Sequence, residues 1–387
     1  MSTHAITLDD VKSAHDRISH LIHRTPVLTC ATLDLLSERT LFFKAETFQR
    51  SGSFKIRGAS NAVFSMSAEQ VANGVVTHSS GNHAGAVALA AKLRGVPAHI
   101  VVPHNTPKVK TDAVRSYGGT LYFCAPTIDA REEECMRIQQ DTGAAFVHPY
   151  NDPKVMAGQG TIALELLDQA PHLDAIVVPI SGGGMTSGIA VAAKALKPSI
   201  KIIAAEPRGI NQDAADVAAA KAAGELVPSN RPTTIADGLQ GRMGCNTWPI
   251  VRDLVDGVIT VSEEEIVAAM RLIYMHAKVV VEPSGAVGLA AVLRGQEVHP
   301  ASGSHVQQGG TVGIEVGEAE STSSVADYDT VPQNEQGKKN KGLMKKQGIL
   351  SPQQVLEGCK AIGIILCGGN VDLDAKGFWD MENWKPS

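Results

Sequence analysis

No apolar run in the chain is long enough to cross a bilayer: stretches such as 176–180 and 279–281 stop far short of the roughly 20 residues a spanning helix needs. An excess of positive charge is also missing. With 35 Lys and Arg against 40 Asp and Glu, the formal net charge of -5 argues against a nucleic-acid partner. The six cysteines (Cys30, Cys124, Cys135, Cys245, Cys359 and Cys367) show no CxxC spacing, and no signal-peptide pattern opens the sequence, so a reducing, cytosolic setting is expected. The thirteen histidines are scattered without metal-ligand spacing, which speaks against zinc. Aromatic residues are scarce at 4%, whereas Gly, Ala and Val abound, as in packed α/β layers. At 387 residues the chain is long enough for two domains and a large core.

What is present centres on the octapeptide Ser51-Gly-Ser-Phe-Lys-Ile-Arg-Gly58, which places one lysine between a glycine-flanked turn and the opening of a helix. Lys55 lies between Phe54 and Ile56, where burial lowers an amine pKa, and the positive end of the helix dipole further disfavours the ammonium. A lysine held partly neutral can attack an aldehyde, which is the condition for a Schiff base with pyridoxal phosphate (PLP). A lysine that merely snorkels at a helix start gives the same local pattern, so the octapeptide alone leaves both readings open.

The remaining chain reads as alternating strands and helices. Thr7 to Asp10 resembles a capping box, with Val11, Ala14, Ile18 and Ile22 following at helical spacing and a stop expected before Thr25-Pro26. Strands are expected at 41–44, 75–79, 99–103, 120–124, 145–148, 175–180, 201–205, 258–261 and 362–366, and helices at 56–66, 84–93, 108–117, 128–141 and 160–169. This alternation implies doubly wound parallel sheets of the α/β class. A small domain is expected at 74–151, with residues 1–73 and 152–387 forming a larger one. Residues 295–348 change to Gly, Ser, Gln and charge, and read as a long surface excursion. Between the strand 175–180 and the next helix lies Ser181-Gly-Gly-Gly-Met-Thr-Ser-Gly188. A glycine loop there exposes successive N–H groups at a helix N-terminus, an anion site. Position 187 is Ser rather than the third glycine of a dinucleotide fingerprint, which favours a phosphate monoester over NAD.

Taken together, SGSFKIRGA (51–59), THSSGNHAGA (77–86), HPYNDP (148–153), AGQGTIALE (157–165), SGGGM (181–185), AAEP (204–207), TIADG (234–238), NTWPIVRDLVD (246–256), VEPSGAVG (281–288) and GGNVDL (368–373) resemble the hallmarks of the fold-type II PLP enzymes. Within them the likeness is greatest to the serine racemase and serine/threonine dehydratase family. The resemblance implies a tryptophan synthase β-like fold and a PLP-dependent enzyme that interconverts L- and D-serine, with side elimination to pyruvate and ammonia. The rival within the family is a dehydratase of threonine, serine or 3-hydroxyaspartate; the rival outside it is a catalytically idle module that retains PLP.

Carried over residue by residue, the resemblance makes Lys55 the Schiff-base lysine and an acid/base on one face of the substrate Cα. It makes Ser80 the acid/base on the opposite face, as racemisation requires two bases. Phe54 packs beside the cofactor ring, Asn82 meets its 3-hydroxyl, Ser181, Gly182, Gly183, Gly184 and Met185 hold its phosphate, Cys367 faces its nitrogen, and Gly238 and Glu282 complete the cofactor site. Ser79, Ser80, Gly81, Asn82 and His83 form the substrate loop. Threonine dehydratases commonly show alanine where this chain has Ser80, which favours the racemase over them, although hydroxyaspartate dehydratases resemble the racemase here. Cys367 stands where the racemases typically have serine, and Ser181 where the loop usually opens with glycine. Neither Cys nor Ser is a carboxylate, so the ring nitrogen stays largely unprotonated and elimination accompanies racemisation. A Mg²⁺, Ca²⁺ or Mn²⁺ is expected on Glu206, the Asn211 carbonyl and Asp213. A homodimer is expected. The nucleotide site of mammalian racemases is matched by Tyr117, Lys278 and Asn370 but not by Cys30, Ala31 and Gly85, so ATP activation is not carried over.

Overall fold

The computed structural model describes residues 4–79, 81–106, 108–228, 232–294 and 352–372. The expected excursion at 295–348 lies outside the described residues, as does Ser80.

Two sheets carry the architecture. One has six strands, named in chain order β1 (Val27–Leu28), β2 (Thr40–Ala45), β7 (Ala175–Pro179), β8 (Lys201–Pro207), β9 (Gly257–Val261) and β10 (Ala361–Leu366), and the other has β3 (Val75–His78), β4 (Ala98–Pro103), β5 (Thr120–Cys124) and β6 (Ala145–Phe146). The first is ordered β1-β2-β10-β7-β8-β9 and the second β5-β4-β3-β6. All pairings are parallel except that of β1 with β2. Parallel strands need helical crossovers, which bury both sheet faces. Strand β7 is buried at every residue, with Val177 in the core on one face and Ile176 and Val178 in the core on the other. That alternation is the two-residue pleat of a central strand.

The first helix, Leu8–Ile18, carries the capping box at Thr7 and Asp10 and buries Val11, Ala14 and Ile18. It ends before Ile22, which joins the core from the following turn. The helix expected at 160–169 begins earlier, at Pro153. Asp152 Oδ1 accepts the N–H groups of Lys154 at 2.6 Å and Val155 at 3.3 Å, and Pro153 fills the first helical position, where its missing N–H costs nothing. Glycine inside this helix serves close approach. A Cβ on Gly158 would fall 2.6 Å from the Arg57 carbonyl oxygen, and one on Gly160 2.8 Å from that of Gly188. Strand β6 is shorter than the expected 145–148 because His148 turns back to hold the next two backbone N–H groups.

A buried charged cluster lies under the helix that opens with Lys55 (Lys55–Ser65). Arg57 donates to Glu46 Oε2 and Oε1 at 2.8 and 2.7 Å, to Glu165 Oε1 and Oε2 at 2.7 and 2.8 Å, and to Thr161 Oγ1 at 3.1 Å. Lys44 Nζ donates to Glu165 Oε2 at 2.7 Å, the Thr25 carbonyl at 2.8 Å and Gln169 Oε1 at 2.8 Å. Two cations and two carboxylates therefore satisfy one another where burial would otherwise be prohibitive. Burial pushes the Glu165 carboxyl up, but Arg57 and Lys44 outweigh it and bring the group below its ordinary range.

Candidate active site

Lys55 is the first residue of its helix, and the preceding turn is stitched to the chain after β10. Phe54 N–H donates to the Cys367 carbonyl at 3.0 Å, Gly369 N–H to the Gly52 carbonyl at 2.9 Å, and Asn370 Nδ2 to the Ser51 carbonyl at 2.9 Å. Lys55 Nζ, so placed, donates to the Pro149 carbonyl at 2.8 Å and lies 5.2 Å from the centre of the Phe54 ring. Burial brings its pKa down from 10.5 to about 8, with Cys367 and Glu282 pulling the other way. An amine so shifted has a substantial neutral fraction near neutral pH, which a surface lysine lacks.

The glycine loop joins β7 to the next helix. Gly183 adopts a left-handed φ of 85° and caps the Gly184–Leu196 helix, whose first-turn N–H groups have no partner within the helix. Thr247 Oγ1 donates to the Gly182 carbonyl at 2.8 Å, fixing the loop from behind. Side chains are excluded by close packing: a Cβ on Gly182 would fall 2.5 Å from Tyr150 Cδ2, and one on Gly183 2.8 Å from Met243 Sδ. Thr186, in the same first turn, keeps its Oγ1 buried without a partner. Ser181 and Met185 bracket the loop.

The loop expected to take substrate follows β3. Ser79 N–H donates to the Val101 carbonyl at 3.1 Å, Gly81 N–H to Ser79 Oγ at 3.3 Å, and Asn82 opens the Asn82–Arg94 helix. Asn82 Nδ2 donates to Glu282 Oε1 at 2.7 Å, while Asn82 Oδ1 accepts from Asn370 Nδ2 at 2.9 Å. Gly368 fits beside them only because it lacks a side chain, since its Cβ would fall 2.7 Å from Glu282 Oε1. Gly238 N–H donates to Ser284 Oγ at 3.0 Å, bringing its turn to the same corner. Burial pushes the Cys367 thiol well above its ordinary range, so it stays protonated and neutral. His83 is buried too, and burial together with Lys55 holds it well below its ordinary pKa. The structure thus gathers Phe54, Asn82, His83, Glu282 and Cys367 with Lys55.

Of the expected cation ligands, Glu206 and Asp213 have backbone partners of their own. Glu206 ends β8 and is buried; its Oε1 and Oε2 accept the N–H groups of Val217 and Ala218 at 2.8 and 2.9 Å. Asp213 Oδ1 accepts from Thr233 N–H at 3.0 Å, and Asn211 is exposed. Among the described residues no group of three or more His, Cys, Asp or Glu could hold a metal ion. Of the residues matched to a nucleotide site, Tyr117 packs near Gly85, whose Cβ would fall 3.9 Å from Tyr117 Cε2, and Asn370 is engaged by Ser51 and Asn82.

Sequence reasoning did not find the contacts of Tyr150 and Asn151, which brace the glycine loop and the 244–246 turn. The signal was the HPYN run itself, in which a ring and an amide follow Pro149 just before the Asp152 helix cap.

A buried amine of lowered pKa, a side-chain-free loop at a helix N-terminus and a neutral buried thiol form a donor set that fits pyridoxal phosphate. The sequence pattern of the family described as pyridoxal-phosphate dependent enzyme matches residues 18–306. The chain is 57% identical over 290 residues to a serine racemase of Arabidopsis thaliana, covering 75% of this chain and 86% of that one. It is 47% identical over 291 residues to a beta-hydroxyaspartate dehydratase of Paracoccus denitrificans, covering 75% and 91%. The solved structure of maize serine racemase superposes with a TM-score of 0.80 at 44% identity, covering 98% of this chain and 97% of that one. The chain belongs to the pyridoxal-phosphate dependent enzyme family.

Proposed function

We propose that the chain interconverts L-serine and D-serine and, at the same site, eliminates water from serine to give an enamine that water then hydrolyses to pyruvate and ammonia. The observation that carries this reading is the Lys55 amine, lowered to about 8, in a chain that shares more than half its matched residues with a serine racemase. When bound, pyridoxal phosphate withdraws electrons from the substrate Cα and acidifies its proton.

The chain's own residues do the rest. Lys55 takes or returns the α-proton on one face, and the Ser80 hydroxyl does so on the other. The 181–185 loop would anchor the phosphate by backbone N–H groups, and Asn82 would orient the ring through its amide. Cys367, kept neutral by burial, offers the ring nitrogen no negative charge. Electron withdrawal by the bound group would therefore be weaker than with a carboxylate partner, and loss of the β-hydroxyl would accompany reprotonation. Residues 1–73 and 152–387 would form the large domain and 74–151 the small one; β3 to β6 all fall in the latter span.

For the cation, the Glu206 carboxylate is suited because burial and the adjacent Asp216 push it well above its ordinary range, a cost that a divalent ion would offset. Asp213 and the Asn211 carbonyl would complete the set. The exposed apolar side chains of Phe48, Met275 and Val280 support a homodimer, since Thr47 Oγ1 donates to the Val280 carbonyl at 2.8 Å and joins two of their segments.

A second reading, dehydration of 3-hydroxyaspartate, is favoured by the 47% identity to the Paracoccus protein. Chiral chromatography of the products from L-serine, run with a pyruvate assay, tests the proposal. D-serine together with pyruvate supports it; pyruvate alone, or turnover confined to 3-hydroxyaspartate, rejects it.

A further inference from the structure

The turn after β6 touches both the amine and the glycine loop, and one imidazole nitrogen holds it. His148 Nδ1 accepts the backbone N–H of Asn151 at 2.9 Å and that of Tyr150 at 3.2 Å. Inside this turn Pro149 presents its carbonyl to Lys55 Nζ at 2.8 Å. Tyr150 then lies against the glycine loop, its ring 2.5 Å from where a Gly182 Cβ would stand and its carbonyl oxygen 2.7 Å from where a Gly184 Cβ would stand. Asn151 closes the far side: its Oδ1 accepts Asn246 N–H at 2.8 Å and its carbonyl accepts Asn246 Nδ2 at 3.0 Å.

A ring nitrogen that accepts two N–H groups carries no proton, so the neutral imidazole of His148 bears its proton on Nε2. Packing fixes the ring plane as well, with Tyr150 edge-on at 4.8 Å and Phe146 edge-on at 5.9 Å. We infer that His148 is a positioning residue: its two hydrogen bonds at Nδ1 set the Pro149 carbonyl beside Lys55 and the Tyr150 ring against the 181–185 loop, so that amine and phosphate site keep one spacing. This role rests on the reading of Lys55 and the glycine loop as the pyridoxal-phosphate site. Burial, with His78 and Lys55 as neighbours, holds the His148 pKa down to about 4, which keeps Nδ1 an acceptor through the neutral range.

Two substitutions separate the acceptor from the bulk of the ring. His148→Asn retains an oxygen that can accept from the N–H two residues on, as in an Asx turn, whereas His148→Leu retains bulk and removes the acceptor. Fluorescence titration of the cofactor-stripped full chain with PLP is expected to show about tenfold weaker binding for His148→Leu, or about 1.4 kcal/mol. His148→Asn is expected to bind within about threefold of wild type, less than 1 kcal/mol. Wild-type affinity in His148→Leu, or equal losses in both variants, overturns the inference. A wild-type chain that itself fails to bind PLP overturns the underlying reading and the inference with it. Should His148→Leu not fold, long-range ¹H–¹⁵N spectra of the ¹⁵N-histidine-labelled wild-type holoenzyme decide the matter. A protonated Nε2 and bare Nδ1 on His148 support the inference, and a proton on Nδ1 overturns it.

Discussion

Asn82 Nδ2 donates to Glu282 Oε1 at 2.7 Å, joining the first residue of one helix to the residue that caps the Pro283–Leu293 helix. The other Glu282 oxygen is buried without a partner, and burial with Asp237 nearby pushes the carboxyl up to about 7 despite Lys110 and Asn82. A carboxyl whose folded-state pKa lies above its unfolded value binds protons more readily when folded. Its contribution to stability is therefore fully present below about 4.5 and is lost as pH rises through about 7. Glu282→Gln should flatten that part of the stability curve of the cofactor-stripped protein. Thermal melts from pH 4.5 to pH 7 read the slope, and an unchanged slope would place the titrating group elsewhere.

The Lys55 amine should titrate far below a surface lysine. In the cofactor-stripped protein, acylation of Lys55 followed by peptide mass mapping should rise with a midpoint near 8 rather than 10.5. Lys55→Ala should bind no PLP covalently and lose both activities, because no other described amine stands at the Pro149 carbonyl in its place. Substantial lyase activity in a PLP-loaded Lys55→Ala protein would contradict the assignment.

Breaking the buried cluster should cost more than any surface change. Glu165→Ala leaves Lys44 and Arg57 short of a shared carboxylate in the interior, where an unpaired charge costs about 3–5 kcal/mol. Denaturant unfolding monitors the loss. A change below about 1 kcal/mol would mean that the cluster rearranges or admits water.

These observations separate what the sequence made legible from what it did not. The strands 75–79 and 99–103 and the glycine loop were readable because apolar runs and glycines are local signals, and the Thr7 capping box because its two partners are three residues apart. The buried cluster was not, because Lys44 and Glu165 are 121 residues apart and nothing in either local segment names the other. The Pro283–Leu293 helix is buried on all sides and so shows no amphipathic period. The helix runs from Pro153 rather than from 160, and the glycines at 158 and 160 lie inside it where neighbouring backbones come close. Phe54, Asn82 and Cys367 were placed by family resemblance, and the geometry adds what resemblance lacked: the Asn370 to Asn82 to Glu282 chain of hydrogen bonds.

Magnesium should stabilise the folded protein by mass action if Glu206 and Asp213 hold it. Wild type is expected to melt higher on adding Mg²⁺, and Glu206→Gln and Asp213→Asn to lose that response. A variant that keeps the full melting shift would locate the ion elsewhere.

The two-base account is tested most directly at Ser80. If Lys55 serves one face of Cα and the Ser80 hydroxyl the other, Ser80→Ala should leave removal of the α-proton of L-serine by Lys55 intact while abolishing its return on the opposite face. In deuterated water, chiral analysis combined with mass spectrometry should show deuterium entering L-serine, pyruvate still forming in part, and D-serine falling to background. PLP content should match wild type. A Ser80→Ala enzyme that still interconverts L- and D-serine at near wild-type rate would contradict the account.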